Sequence, residues 1–196
     1  MKNSRAVALE IIGEIRRKAA YANVYTPAAI TKSELEPRDA AKVTDLVYGT
    51  IRWRGFLEKA ITSFSNTPLS KIEPKVFDLL LLGFYELLIT EVSPHVVNEW
   101  VSLLGSKQNV KGFVNALLRK AAITNFDEMA AKLSEGLEEQ AALSIATSHP
   151  LWIVQKYFEL LGDENAAAAL RSNNLPTIPT LVALPGIAGT PKDLHR

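Results

Sequence analysis

The segment from Val76 to Ile89 constrains this chain more than any other. Around a helical wheel it is apolar almost all round: Val76, Phe77, Leu79 to Leu82, Phe84 and Leu87 to Ile89. A helix without a polar face must be enclosed by other elements. This one also holds Asp78 and Glu86, and at about 14 residues it falls short of the about 20 that a bilayer-spanning helix needs. The rest of the chain has to wrap it.

The wrapping is legible on both sides. Val7, Ile11 and Ile15, with Ala8, Ile12 and Ala19 beside them, recur at three- and four-residue steps and predict a first amphipathic helix with Ser4 as its N-cap. Ser33 to Pro37 reads as the entry to a second helix, whose stripe is Val43, Leu46, Val47, Thr50 and Ile51. Gly49 lies inside that stripe, where glycine costs about 1 kcal/mol relative to alanine, so close approach of another helix is expected there. Phe56, Leu57, Ala60, Ile61 and Phe64 form a third stripe. Beyond the central segment, Ser93-Pro94 predicts a helix start, with Val96, Val97, Trp100, Val101 and Leu104 as its stripe up to Gly105. Val110, Phe113, Val114, Leu117, Leu118 and Ala121 give the next helix, and weaker patterns cover 126–147, 150–161 and 164–172. The pattern changes after Arg171. A turn cluster at Asn173-Asn174, an extended run over 179–184, a Pro185-Gly186 turn and a helix start at Thr190-Pro191 follow.

Composition narrows the chemistry. Of 196 residues, 47% are apolar and 22% charged, enough to build a core and too apolar for a disordered chain. Cysteine is absent, which removes disulfides, thiolate metal sites and a cysteine nucleophile, and accords with a reducing cytoplasm. The three histidines, His95, His149 and His195, lack metal-ligand spacing, and no phosphate loop or dinucleotide fingerprint occurs. No catalytic residue and no metal ligand is expected, and no membrane segment.

Charge points to binding. The net charge is +1, yet residues 1–120 carry 17 basic and 12 acidic side chains, against 5 and 9 in residues 121–196. Such asymmetry marks a basic interaction face on the first part. Residues 105–120 contain Lys107, Lys111, Arg119 and Lys120, the amides Gln108 and Asn109, the aromatic Phe113 and no acid. A lysine- and amide-rich loop running into a helix can present cations and N–H donors to phosphates, with Phe113 available for base stacking. The other reading makes Phe113 part of the helix stripe and the lysines an ordinary solvated surface.

Several blocks in order carry a resemblance: Arg38-Asp39 with 46–52 (LVYGTIR), 95–101 (HVVNEWV), 112–119 (GFVNALLR) and 149–152 (HPLW). Together they resemble the N-terminal part of the Sun/Fmu-type 16S ribosomal RNA cytosine-5 methyltransferases, whose first domain is helical and similar to the NusB antitermination factor. The resemblance implies an all-α, NusB-like RNA-binding bundle over 1–147. Residues 148–196 would be linker helices and the truncated start of a small α/β domain. It implies contact with 16S ribosomal RNA through Lys2, Arg5, Lys107, Lys111, Phe113 and Arg119, with Arg5 and Lys111 foremost, and assigns Asn98 and Asn115 to tying helix ends to the backbone. The family's reaction uses S-adenosylmethionine and a cysteine that adds to cytosine. Neither a cysteine nor a glycine loop joining strand to helix is present, so the cofactor is expected in an absent catalytic domain and none in this chain. The rival reading is a NusB-like antitermination adaptor acting through protein partners, and a homodimer is also open.

Overall fold

The computed structural model describes residues 3–105 and 108–175. Among these are eleven α-helices and no strand: α1 (Ser4–Lys18), α2 (Ala22–Ser33), α3 (Pro37–Arg52), α4 (Arg54–Phe64), α5 (Pro74–Phe84), α6 (Val96–Ser102), α7 (Gln108–Ala122), α8 (Phe126–Ser134), α9 (Glu139–Ala146), α10 (Leu151–Leu161) and α11 (Asp163–Ser172). The all-helical class follows from the periodicity. The extended run over 179–184, its turn and the helix start at Thr190 lie outside the described residues, so the small α/β domain is not described here.

The apolar segment stands at the centre. In α5, Leu79, Leu80, Leu82 and Phe84 are fully buried, enclosed by Val43, Leu46 and Val47 of α3, Phe56, Leu57 and Ile61 of α4, Trp100 of α6 and Val114 and Leu118 of α7. The helix does not run on regularly to Thr90. Residues Tyr85–Ile89 form a π turn, closed by Thr90 N–H donating to the Tyr85 carbonyl at 3.2 Å. Gly49 of α3 has the packing role its position implied: a Cβ there would lie 2.0 Å from Cζ of Tyr85.

Local chemistry moves several boundaries. The N-cap of α1 is Asn3, not Ser4, its Oδ1 accepting from the Arg5 N–H at 2.9 Å. Helix α6 starts at Val96, later than Ser93-Pro94 implied. The pattern over 126–147 is broken into α8 and α9 at Gly136, whose φ of 73° favours glycine. Helix α2 has no counterpart in the stripes: Tyr21 and Val24 point to solvent, Thr26 is its one buried side chain, and Pro27 sits mid-helix.

A smaller apolar cluster joins Leu143 of α9 to Val154 and Phe158 of α10 and Ala166 and Leu170 of α11. It is tied to the main core by Ser148, whose Oγ accepts from the Phe56 N–H at 3.1 Å and so caps α4 from another part of the chain. Packing thus runs across residue 147. The turn at Asn173-Asn174 is held by Asn174 Nδ2 donating to the Thr147 carbonyl at 2.7 Å.

Candidate nucleic-acid interface

Two helices, α1 and α7, carry the basic residues singled out in the sequence, and the structure separates their roles. Arg5 projects inward. Its Nε and Nη2 donate to Oε2 and Oε1 of Glu86 at 2.7 and 2.6 Å, and Nη1 reaches Glu99. Glu86 also accepts from Trp100 Nε1 at 2.8 Å and pairs with Lys42 Nζ at 3.1 Å, while the Arg5 guanidinium lies 5.8 Å from the Trp100 ring centre. The side chains of Arg5 and Glu86 are 7% and 2% exposed. Burial pushes the Glu86 carboxyl up, but the Arg5 and Lys42 charges outweigh it and hold it below the ordinary carboxylate value. This corrects the assignment of Arg5 to an RNA-facing surface: a carboxylate inside the apolar segment needed a cation, and Arg5 supplies it. The sequence signal was Glu86, an acid in an otherwise apolar run.

The other described cations of α1 are also engaged. Arg16 donates through Nη2 to Asp78 at 2.8 Å and through Nε to both its oxygens at 3.1 Å, and the bonds to that carboxylate raise the guanidinium's pKa. Arg17 and Lys18 both pair with Glu14. Lys2 lies outside the described residues. Arg5 is thus spent internally, and the exposed Arg17 and Lys18 share one carboxylate.

Helix α7 differs. From Gln108 to Ala122 it contains no acid. Val114, Leu117, Leu118 and Ala121 face the core, leaving Asn109, Gly112, Ala116, Arg119 and Lys120 exposed, with Lys111 and Asn115 half-buried along the same flank. The spacing Lys111, Asn115, Arg119 places all three on one face, one turn apart. Asn115 does not tie a helix end to the backbone; its Oδ1 accepts from Arg119 Nε at 3.2 Å and steadies that guanidinium over the surface. Among the described residues neither Lys111 nor Arg119 has an ion-pair partner. Lys107 lies outside the described residues. Phe113 is half-buried: it packs against the core and also lines a cleft of about 350 Å³ between the start of α7 and the chain leading into α5.

The far end of α7 carries a feature the candidate residues did not include. Lys120 Nζ donates to the carbonyl of Phe64, the last residue of α4, at 3.1 Å. It lies 5.9 Å from the Phe64 ring centre, and Lys132 of α8 lies 5.8 Å from the same ring. Lys120 stood in the basic run. Lys132 gave no signal, because only folding brings α8 beside the end of α4.

The arrangement suits positioning, not reaction: cations and amides on a rigid helix face hold phosphates without chemistry. Among the described residues, no three His, Asp or Glu side chains gather as a metal would need, and no helix is long and apolar enough to cross a membrane.

The chain is similar to known proteins over most of its length. A putative methyltransferase of Mycobacterium tuberculosis is 32% identical over 191 residues, covering 94% of this chain and 42% of that protein. The probable ribosomal RNA small subunit methyltransferase B of Bacillus subtilis is 29% identical over 185 residues, 90% of this chain and 39% of its own length. The ribosomal RNA small subunit methyltransferase B of Pseudomonas putida is 29% identical over 175 residues, 88% and 38% respectively. The chain thus spans about two fifths of the length of the curated relatives it matches. The NusB family model matches residues 2–123, the span that runs from α1 through α7, and the chain belongs to the NusB family.

Proposed function

We propose that this chain is the RNA-binding, non-catalytic region of an S-adenosylmethionine-dependent 16S ribosomal RNA (cytosine-5) methyltransferase, and that it docks the enzyme on ribosomal RNA in the cytoplasm. Residues 1–147 form the docking unit, and residues 148–196 lead toward the domain that carries the reaction. The observation that supports this most directly is the contrast between the two basic helices. Each described cation of α1 is paired with an acid, Glu86, Glu99, Asp78 or Glu14, whereas α7 presents Lys111 and Arg119 on an acid-free face. RNA phosphates are the ligand that such a face suits, and Lys107 and Lys2 are proposed to contact the same RNA. Methyl transfer is not assigned to these residues: the chain has no cysteine to add to the base, and the described residues offer no strand–glycine loop–helix for S-adenosylmethionine.

The test is fluorescence anisotropy of labelled 16S ribosomal RNA titrated with this chain across a salt series. A small number of phosphate contacts gives a shallow slope of log affinity against log salt, and replacing Lys111 and Arg119 by Gln lowers that slope by about 1 each. Binding that ignores salt, or no binding at low salt, refutes the proposal. A chain that instead captures transcription or ribosomal proteins after ribonuclease treatment is the antitermination-type adaptor.

A further inference from the structure

Helix α10 is apolar almost all round: from Leu151 to Leu161 only Gln155, Lys156 and Glu159 are charged or amide side chains. Like the central segment, such a helix needs cover on every side. One face has it. Val154 and Phe158 are buried with Leu143, Ala166 and Leu170, and Ile153 and Tyr157 pack at the margin of that cluster. The opposite face is open among the described residues: Trp152 is 65% exposed and Leu160, two turns further on, 75%. Lys156 stands between them with its ammonium paired to Glu159 at 2.6 Å, and its methylene stem adds to the apolar surface. A lone exposed leucine is ordinary, but a tryptophan and a leucine aligned on the free side of a helix already buried on its other side form a patch.

The chain leaves α11 beside this patch. Asn173 Nδ2 donates to the Tyr157 hydroxyl at 3.2 Å and Asn174 Nδ2 to the Thr147 carbonyl at 2.7 Å, so the backbone is held against α10 up to the exposed Leu175. Around the axis of α10, Ile153 and Tyr157 lie between the buried pair and the side that bears Trp152 and Leu160. From Pro176 to Gly189 the sequence has no charged residue, and Ile178, Leu181, Val182, Leu184 and Ile187 are its large apolar members. At up to about 3.5 Å per residue, about three residues beyond Leu175 span the width of a helix. We infer that residues 178–184 of this chain lie back over α10 and cover Trp152 and Leu160. Tethering selects this occupant over a second copy or a free partner: a segment on so short a leash meets the patch at an effective concentration of about millimolar. Covered in this way, α10 fixes the path by which the chain leaves the bundle, and the inference does not depend on RNA binding.

Trp152 is the reporter, since Trp100 is fully buried and Trp53 half-buried, and subtracting the signal of Trp152→Phe isolates it. In the full chain, acrylamide quenching of Trp152 is expected to be weak. It should rise about threefold in the double variant Leu181→Asp, Val182→Asp, in step with the ring area uncovered. Emission should shift to the red while the circular dichroism spectrum stays unchanged. A second measurement uses the lack of native cysteine. Leu160→Cys is combined in turn with Leu181→Cys, Val182→Cys and Leu184→Cys, and under mild oxidation at least one pair is expected to form a disulfide within a single chain. Thr44→Cys, exposed on α3, combined with Val182→Cys is the control and is expected to stay reduced. Equal quenching in wild type and the double variant overturns the inference. So do disulfides that form between chains and not within one, or shielding of Trp152 that grows with protein concentration, the mark of a second copy on the patch.

Discussion

Removing Arg5 tests the core of the structure and the reassignment of that residue at once. In Arg5→Met, Glu86 loses two charge-assisted hydrogen bonds and keeps only the Trp100 N–H and the Lys42 ammonium at 3.1 Å. Taking one partner from a buried pair costs about 3–5 kcal/mol. Lys42 still neutralises part of the charge, although its side chain is 36% exposed, so the lower end of about 3 kcal/mol applies. With a urea m-value of about 2 kcal/mol/M, the unfolding midpoint falls by about 1.5 M. Adding Glu86→Leu removes the stranded carboxylate and recovers most of the loss, because replacing both charges by apolar groups is close to neutral. The pH dependence has a definite sign. The folded carboxyl of Glu86 is held below its ordinary value of 4.5, so its contribution is present above that pH and is lost as pH falls through the folded value. The double variant should therefore lose less stability on acidification than wild type. Urea melts at pH 7 and over pH 3–5, followed by circular dichroism, read all three quantities. An Arg5→Met chain with an unchanged midpoint and weakened RNA binding would refute the reasoning and return Arg5 to the surface.

Two further expectations concern packing. Gly49→Ala places a methyl carbon 2.0 Å from the Tyr85 ring, itself pinned by its hydroxyl donating to Asp45 Oδ1 at 2.9 Å. Overpacking there should cost about 1–3 kcal/mol, and a thermal melt should show Tm lower by about 3–10 °C. Ser148→Ala removes the hydroxyl that accepts from the Phe56 N–H at 3.1 Å; a loss of about 1 kcal/mol is expected in a urea melt, as for other lost helix caps.

Most of the scaffold was legible because its apolar residues recur at helical spacing. Val43, Leu46 and Val47, Phe56, Leu57 and Ile61, and Val114, Leu117 and Leu118 are all buried as their stripes required. Helix α2 escaped because it does not bury a stripe: Thr26 is inside and Val24 outside, so tertiary position and not periodicity sustains it. Arg5 was misplaced for a related reason. Period assigns a residue to a face of its own helix, but Arg5 follows the N-cap, where α1 abuts both the π turn and α6, and even a polar position there is enclosed. At the candidate interface, the acid-free run over 105–120 pointed to α7 directly. Lys120 and Lys132 acquire meaning only from folding, which brings both beside Phe64 at the end of α4.

The π turn at Tyr85–Ile89 has a consequence for the length of this part of the chain. It holds more backbone in one turn than an α-helix does and rotates everything after it about the axis. Its first two residues, Tyr85 and Glu86, point in different directions around the axis and reach different helices, Asp45 of α3 in one case and Arg5 of α1 with Trp100 of α6 in the other. Deleting a single residue after Glu86 would let the chain relax into ordinary helix and swing the buried Leu87 and Leu88 out of phase with the core. The stretch works as a keyed joint, its residue count fixed by the helices and core it has to meet.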